Sequence, residues 1–295
     1  MNHNANASYN MNQVIDEFQH FYGVREMPFA LVPNTEYFVN LKPHSDCFNM
    51  LMFAIMAGEG FIKVTGEVGT GKTLLCRRLL NSLAPEDYVT AYIPMPQLSP
   101  VELKRALAKE LACEHVDETE DQKLVDKLIH KLMDIAQSGK RVLLIIDEAQ
   151  ALPERSLEEI RLLTNLETEQ RKLLQIILFG QPELNVILGQ YKFRQLRQRI
   201  AYSCELPKLD RKSILQYVNH RMSVAGYNGE PVFDRNALSL LHKATRGTPR
   251  LVNIICAKAL LIAFSMGQRQ VKKTMIKTAL RDTEAVQYRS GWLFG

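Results

Sequence analysis

The 295-residue sequence holds one tryptophan and only 8% aromatic residues. Its five cysteines, Cys47, Cys76, Cys113, Cys204 and Cys256, form no CxxC pair. An odd count at wide spacing argues against both a disulfide framework and a zinc site. The seven histidines are scattered as well, so a reducing, cytoplasmic setting is expected. No apolar run approaches the roughly 20 residues a membrane-crossing helix needs. The longest runs, 142–146 and 173–179, are strand-sized. Residues 1–12 are rich in asparagine and lack the basic-then-apolar layout of a secretory signal, so they read as a disordered leader. A strong charge is missing too. The net charge of +5 permits nucleic acid or an acidic partner but demands neither.

What is present is ordinary material for a packed core: 46% hydrophobic and 23% charged residues. The length suits one large domain and a smaller one. Residues 13–60 begin irregularly. Phe21-Tyr22-Gly23 leads to Pro28-Phe29 and Val32-Pro33, which predicts a loop-like lead-in rather than a long helix. A helix is predicted over 45–56 and a strand over 61–65. Further strands are expected at 89–93, 141–146, 173–179 and 204–206, with helices between them. Strands alternating with helices imply a parallel sheet covered on both faces. From Arg211 onward only helical periods remain, enough for about four helices. The predicted organisation is a leader over 1–12, an α/β nucleotide-binding domain over 13–208, a helical lid over 209–285 and a tail over 286–295.

Gly66, Glu67, Val68, Gly69, Thr70, Gly71, Lys72 and Thr73 match the pattern GxxxxGK[ST]. The glycines let successive backbone N–H groups turn inward toward phosphate oxygens. The helix that follows adds its own N-terminal dipole. Lys72 is placed to reach the β- and γ-phosphates, and the Thr73 hydroxyl to ligate Mg²⁺. The apolar strand before the loop and the leucine-rich helix after it are the context this chemistry requires.

Four apolar residues, Leu143 to Ile146, run into Asp147 and Glu148. A buried strand ending this way delivers a carboxylate beside the phosphate loop. Asp147 can then hold Mg²⁺ through water, and Glu148 can polarise the attacking water. A glutamate next to the magnesium aspartate favours hydrolysis over transfer to a bound acceptor.

With these motifs in place the sequence resembles the AAA+ ATPases, and within them the ExeA/GspA-like secretion ATPases. The nearest subgroup is the one tied to biogenesis of MSHA (mannose-sensitive haemagglutinin) type IV pili. The likeness rests on Phe21-Tyr22-Gly23 with Pro28-Phe29, on the loop 65–73, on Ile146-Asp147-Glu148-Ala149-Gln150, on Phe179-Gly180-Gln181-Pro182-Glu183-Leu184 and on Gly247-Thr248-Pro249-Arg250. It implies ATP, rather than GTP, as the nucleotide. It also implies an α/β domain with a helical lid.

The resemblance assigns three more roles. Gln181 fits sensor 1, touching the γ-phosphate or the lytic water; the alternative is a turn residue before Pro182. Arg250 fits sensor 2, reaching from the lid; the alternative is a C-cap or surface arginine after Gly247 and Pro249. Arg199, with Arg197 second, fits an arginine finger acting on a neighbouring subunit's ATP. The bland alternative for that segment is a solvated basic face. The implied partners are further copies of the chain, as a nucleotide-dependent oligomer, and assembly proteins of the inner membrane. The expected location is cytoplasmic and peripheral at the inner membrane.

Longer relatives continue into a membrane span and a peptidoglycan-binding region. These 295 residues contain neither, so any membrane role is expected to pass through a partner. Trp292 and Phe294 make the tail a candidate docking segment; the alternative is that it packs on its own lid. The competing function is a DNA-associated AAA+ ATPase of the transposition-regulator type. The basic stretches 194–199 and 269–277 are the only candidates for it, without a helix-turn-helix, zinc finger or long basic arm. Nucleic acid is therefore not the expected partner. A small-molecule kinase fits least, for want of an acceptor motif.

Overall fold

Apolar runs in the first two thirds of the chain pair side by side as a parallel sheet. The computed structural model describes residues 11–117, 120–169 and 171–283. They divide into two units. One runs from Lys42 to Pro207, and the other joins the segment up to Leu41 with the segment from Lys208 onward.

The chain starts with α1 (Met11–Tyr22), which belongs to the second, helical unit. This corrects two expectations. The helix begins two residues inside the predicted leader, and residues 13–41 belong to the helical unit rather than to the α/β unit, although the proline-bearing stretch 23–34 is irregular as expected. Phe18 and Tyr22, four apart on one helix face, pack with Val24, Phe29 and Leu41 into a core shared with Ile214, Val252 and Ile276. Each such burial is worth about 1.5–3 kcal/mol, while Pro28 and Pro33 lie beyond the helix in the irregular stretch 23–34. The remaining leader residues lie outside the described ones.

In chain order the α/β unit contains α2 (Lys42–Met56), β1 (Phe61–Gly66), α3 (Lys72–Ser82), β2 (Tyr88–Ile93), α4 (Pro100–Glu110), α5 (Asp121–Gln137), β3 (Arg141–Ile146), α6 (Glu154–Leu163), β4 (Gln175–Gly180), α7 (Glu183–Gly189), α8 (Arg194–Gln198) and β5 (Tyr202–Leu206). The strand order is β2-β3-β4-β1-β5, and every pairing is parallel. All six residues of β4 are buried, as are the five apolar residues of β3. Near-continuous apolar runs are what a sheet covered on both faces requires. On one face Leu144, Ile146, Ile176 and Leu178 join Leu103 and Leu107 of α4, Leu124 and Leu128 of α5 and Leu157 of α6 in one cluster.

Cys47 of α2 and Cys204 of β5 form a disulfide, with Cα atoms 5.9 Å apart. The sequence argued against any disulfide. The two residues are separated by 157 positions, and only the pairing of β5 beside β1, with α2 packed against β5, brings them together.

The helical unit is completed by α9 (Arg211–Val224), α10 (Arg235–Thr245), α11 (Pro249–Ser265) and α12 (Lys273–Arg281). The Asp210 and Asp234 side chains cap α9 and α10 by accepting from the Ser213 and Ala237 backbone N–H groups. Gly247 has φ +74°, and a side chain there would collide with the Leu209 carbonyl. Its own carbonyl accepts from the Leu209 N–H at 2.8 Å. The tail carrying Trp292 and Phe294 lies outside the described residues. Among the described residues no helix is long and apolar enough to cross a membrane.

A candidate nucleotide site at the strand ends

Three parallel strands bring the site together. β4 lies between β1 and β3, so their C-terminal ends align. The phosphate loop leaves β1, Asp147 and Glu148 leave β3, and Gln181 leaves β4. Ligands of open parallel sheets bind at this edge.

The loop's shape follows from its glycines. Gly69 and Gly71 have φ +78° and +102°, a left-handed region that other residues enter at a cost. Gly66 is needed for a different reason. A Cβ there would sit 2.8 Å from Thr70 Oγ1 and 3.0 Å from the Leu206 carbonyl oxygen. Thr70 donates its hydroxyl to the Glu67 carbonyl at 2.8 Å and closes the loop. Helix α3 then starts, with the Leu75 N–H on the Gly71 carbonyl at 2.9 Å.

Lys72 is only 5% exposed. Its ammonium donates to the carbonyls of Gly66 at 2.9 Å and Glu67 at 3.2 Å. Burial lowers its pKa, opposed by the charges of Glu148 and Asp147. Thr73 Oγ1 donates to Asp147 Oδ2 at 2.9 Å. Asp147 is buried, its backbone N–H pairs with the Ile93 carbonyl at 2.9 Å, and its Oδ1 accepts from the Glu148 N–H at 2.9 Å. Burial raises the Asp147 carboxyl, against the pull of the bonds from Thr73 and Glu148.

Glu148 adopts a left-handed backbone, φ 51° and ψ 37°, which aims its side chain away from the strand direction. Its Oε2 accepts from Gln150 Nε2 at 2.6 Å and Gln181 Nε2 at 3.0 Å. Burial raises its carboxyl, but these two bonds and the Lys72 charge outweigh that, and the group sits below the usual carboxylate range. It is ionised at neutral pH, as a base must be.

Sequence motifs alone missed two residues. His44, near the start of α2, is buried with Nε2 3.4 Å from the Thr70 carbonyl, beneath the loop. Burial lowers its pKa, against the raising effect of that bond. Gln150 is the other; its motif was visible, but its contacts were not. Arg197 and Arg199 of the α/β unit precede β5 rather than follow a strand end. Arg199 is half-buried, and its Nη1 donates to Thr164 Oγ1 at 3.1 Å. Arg197 is exposed, with Nη1 3.3 Å from the Gly189 carbonyl. Arg250 is exposed in the first turn of α11, in the helical unit.

The comparisons with known proteins agree with this architecture. The AAA domain family matches residues 55–188. The General secretion pathway protein A of Aeromonas hydrophila is 39% identical over 280 residues, covering 94% of this chain and 50% of that protein. The chain thus spans about half the length of this curated relative. Among solved structures, the Aeropyrum pernix ORC2 protein superposes with a TM-score of 0.63 at 16% identity, covering 86% of this chain and 72% of that one. The Cdc6p of Pyrobaculum aerophilum gives 0.64 at 14% identity, covering 86% and 70%. The RuvB Holliday junction branch migration motor of Thermotoga maritima gives 0.53 at 17% identity, covering 83% and 70%. These distant structures speak for the fold alone. With the phosphate loop and the parallel sheet in hand, residues 55–188 match an AAA domain, and the chain as a whole is similar in sequence to General secretion pathway protein A, an ExeA/GspA-like relative.

Proposed function

We propose that the strand-end site hydrolyses ATP through Glu148, and that the hydrolysis drives assembly of a type IV (MSHA-like) pilus or a type II secretion-like machine. The observation that carries the hydrolytic reading is the Glu148 carboxylate, anchored by two amide donors at the strand ends where the phosphate loop begins. The sequence likeness to a general secretion pathway protein supports the choice of machine.

In this reading Lys72 exchanges the Gly66 and Glu67 carbonyls for phosphate oxygens, while loop N–H groups from 67–73 donate to the same anion. Thr73 and Asp147 would hold Mg²⁺, Asp147 through water. A hydroxyl and a carboxylate oxygen 2.9 Å apart are the hard donors this ion takes. When bound, the ion neutralises phosphate charge. Glu148 accepts a proton from water as the water oxygen attacks the γ-phosphorus; the bond to the β-phosphate oxygen breaks, leaving ADP and phosphate. Gln181 orients that water or touches the γ-phosphate. Arg199 acts on a neighbouring subunit's nucleotide once its bond to Thr164 is released, and Arg250 senses the nucleotide from the lid.

A Glu148→Gln protein is expected to bind ATP normally and hydrolyse it about 100-fold or more slowly. Near-normal turnover would sink the assignment. For the finger, turnover per subunit is expected to rise with protein concentration and to stay low at all concentrations in Arg199→Ala. Unchanged turnover in that variant argues for a solvated basic face instead. A pull-down from membranes is expected to recover pilus or secretion assembly proteins. ATP-dependent DNA binding with a steep salt dependence would favour the DNA-associated reading.

A further inference from the structure

Gln150 sits in the short 3-10 turn Ala149–Ala151, two residues past Glu148, and has no part in the scheme above. Its side chain spans two strand ends. Oε1 accepts the Gln181 backbone N–H at 2.9 Å, and Nε2 donates to Glu148 Oε2 at 2.6 Å. The orientation of this amide is set by chemistry. A backbone N–H can only donate, so the atom facing Gln181 is the oxygen, and the amide nitrogen must face Glu148. The neighbouring glycine is fitted to the same contact. A Cβ on Gly180 would lie 2.7 Å from Leu184 Cδ2 and 3.3 Å from Gln150 Oε1.

We propose that Gln150 is a positioning residue that fastens the Glu148 carboxylate to the end of β4 and leaves one defined oxygen for the lytic water. Gln150 and Gln181 both donate to Oε2. Among the described residues Oε1 accepts no hydrogen bond. Two donors on one oxygen fix the carboxylate plane, and the other oxygen is presented at a set angle. Because Gln150 also holds the Gln181 backbone, the base and the residue beside it move as one body. A group placed within tenths of an ångström by packed neighbours is what efficient proton transfer requires.

The inference rests on Glu148 as the base, so the test separates the two claims. ATP turnover, ATP affinity and melting temperature are measured for Glu148→Gln, Gln150→Ala, Gln150→Glu and the Glu148→Gln/Gln150→Ala double variant. Gln150→Ala is expected to lose about tenfold or more in kcat, with KM and ATP affinity within about twofold. The isosteric Gln150→Glu keeps the shape but cannot donate to Glu148, and it is expected to be at least as slow. It carries the test should Gln150→Ala fold poorly. The double variant is expected to be no slower than Glu148→Gln, because the effect passes through the carboxylate. Normal kcat in both Gln150 variants overturns the proposal. So does a double variant slowed by the full additional factor, or a loss confined to ATP affinity, since either marks a merely structural role. Full turnover in Glu148→Gln overturns the base assignment itself, and this inference with it.

Discussion

Lys72 of the α/β unit and Arg221 of the helical unit are equally buried cations, each 5% exposed, yet they are held in opposite ways. Lys72 donates only to carbonyls of its own loop, five and six residues back in the chain, and carboxylates of Asp147 and Glu148 stand near enough to raise its pKa against burial. Arg221 is held mainly by a distant segment. Nε donates to the Pro28 carbonyl at 2.7 Å, Nη2 to the Ala30 carbonyl at 3.0 Å and Nη1 to the Tyr217 hydroxyl at 3.1 Å. Its guanidinium also stacks 4.5 Å from the centre of the Tyr37 ring. A buried charge must be paired. Where the partners are backbone groups of a phosphate-binding loop, an arriving anion can replace them at little cost. Where they belong to a segment more than 190 residues away, the charge is a brace, and releasing it unfolds something.

Substitution breaks the comparison most sharply at Lys72. Lys72→Ala is expected to weaken ATP binding by about 100-fold, the loss of charge-assisted bonds to phosphate, while the melting temperature barely moves. Equilibrium binding beside a thermal melt checks both halves. Arg221→Leu should reverse the pattern. It leaves two carbonyls and a hydroxyl without their donor, and chemical denaturation is expected to show a loss of about 2 kcal/mol. A stable Arg221→Leu protein would mean that the apolar contacts of Phe18, Tyr22, Val24, Phe29 and Leu41 suffice to hold residues 13–41. The smallest effect concerns the loop's underside. The folded pKa of His44 is lowered by burial, so its contribution to stability is present above the unfolded value near 6.5 and is lost as pH falls below it toward the folded value. Stability followed from pH 7 to pH 5 is expected to fall less steeply in His44→Gln than in the parent chain.

Arg199 makes a second contrast with Lys72. Both were assigned to phosphate chemistry from motifs, but Lys72 lies in the loop it serves, whereas Arg199 is bonded to Thr164 at the end of α6. A motif identifies a side chain, while the rest of the fold determines its resting partner.

What the sequence by itself determined is local. The loop of Gly66 to Thr73 needs only a strand before it and a helix after it, and both are written as adjacent apolar patterns. Asp147 and Glu148 are legible for the same reason, as is the run of helices after Arg211. The tertiary structure decided whatever depends on which element lies beside which. Hydrophobic burial has no direction, so the apolar faces of 13–41 did not reveal that their partners are α9, α11 and α12 rather than the sheet. Strand order has no local signature either. Only with β4 between β1 and β3 does Gln181 meet Glu148, and only then does Gln150 acquire two strand ends to join. Cys47 and Cys204 meet by the same kind of adjacency, across 157 residues.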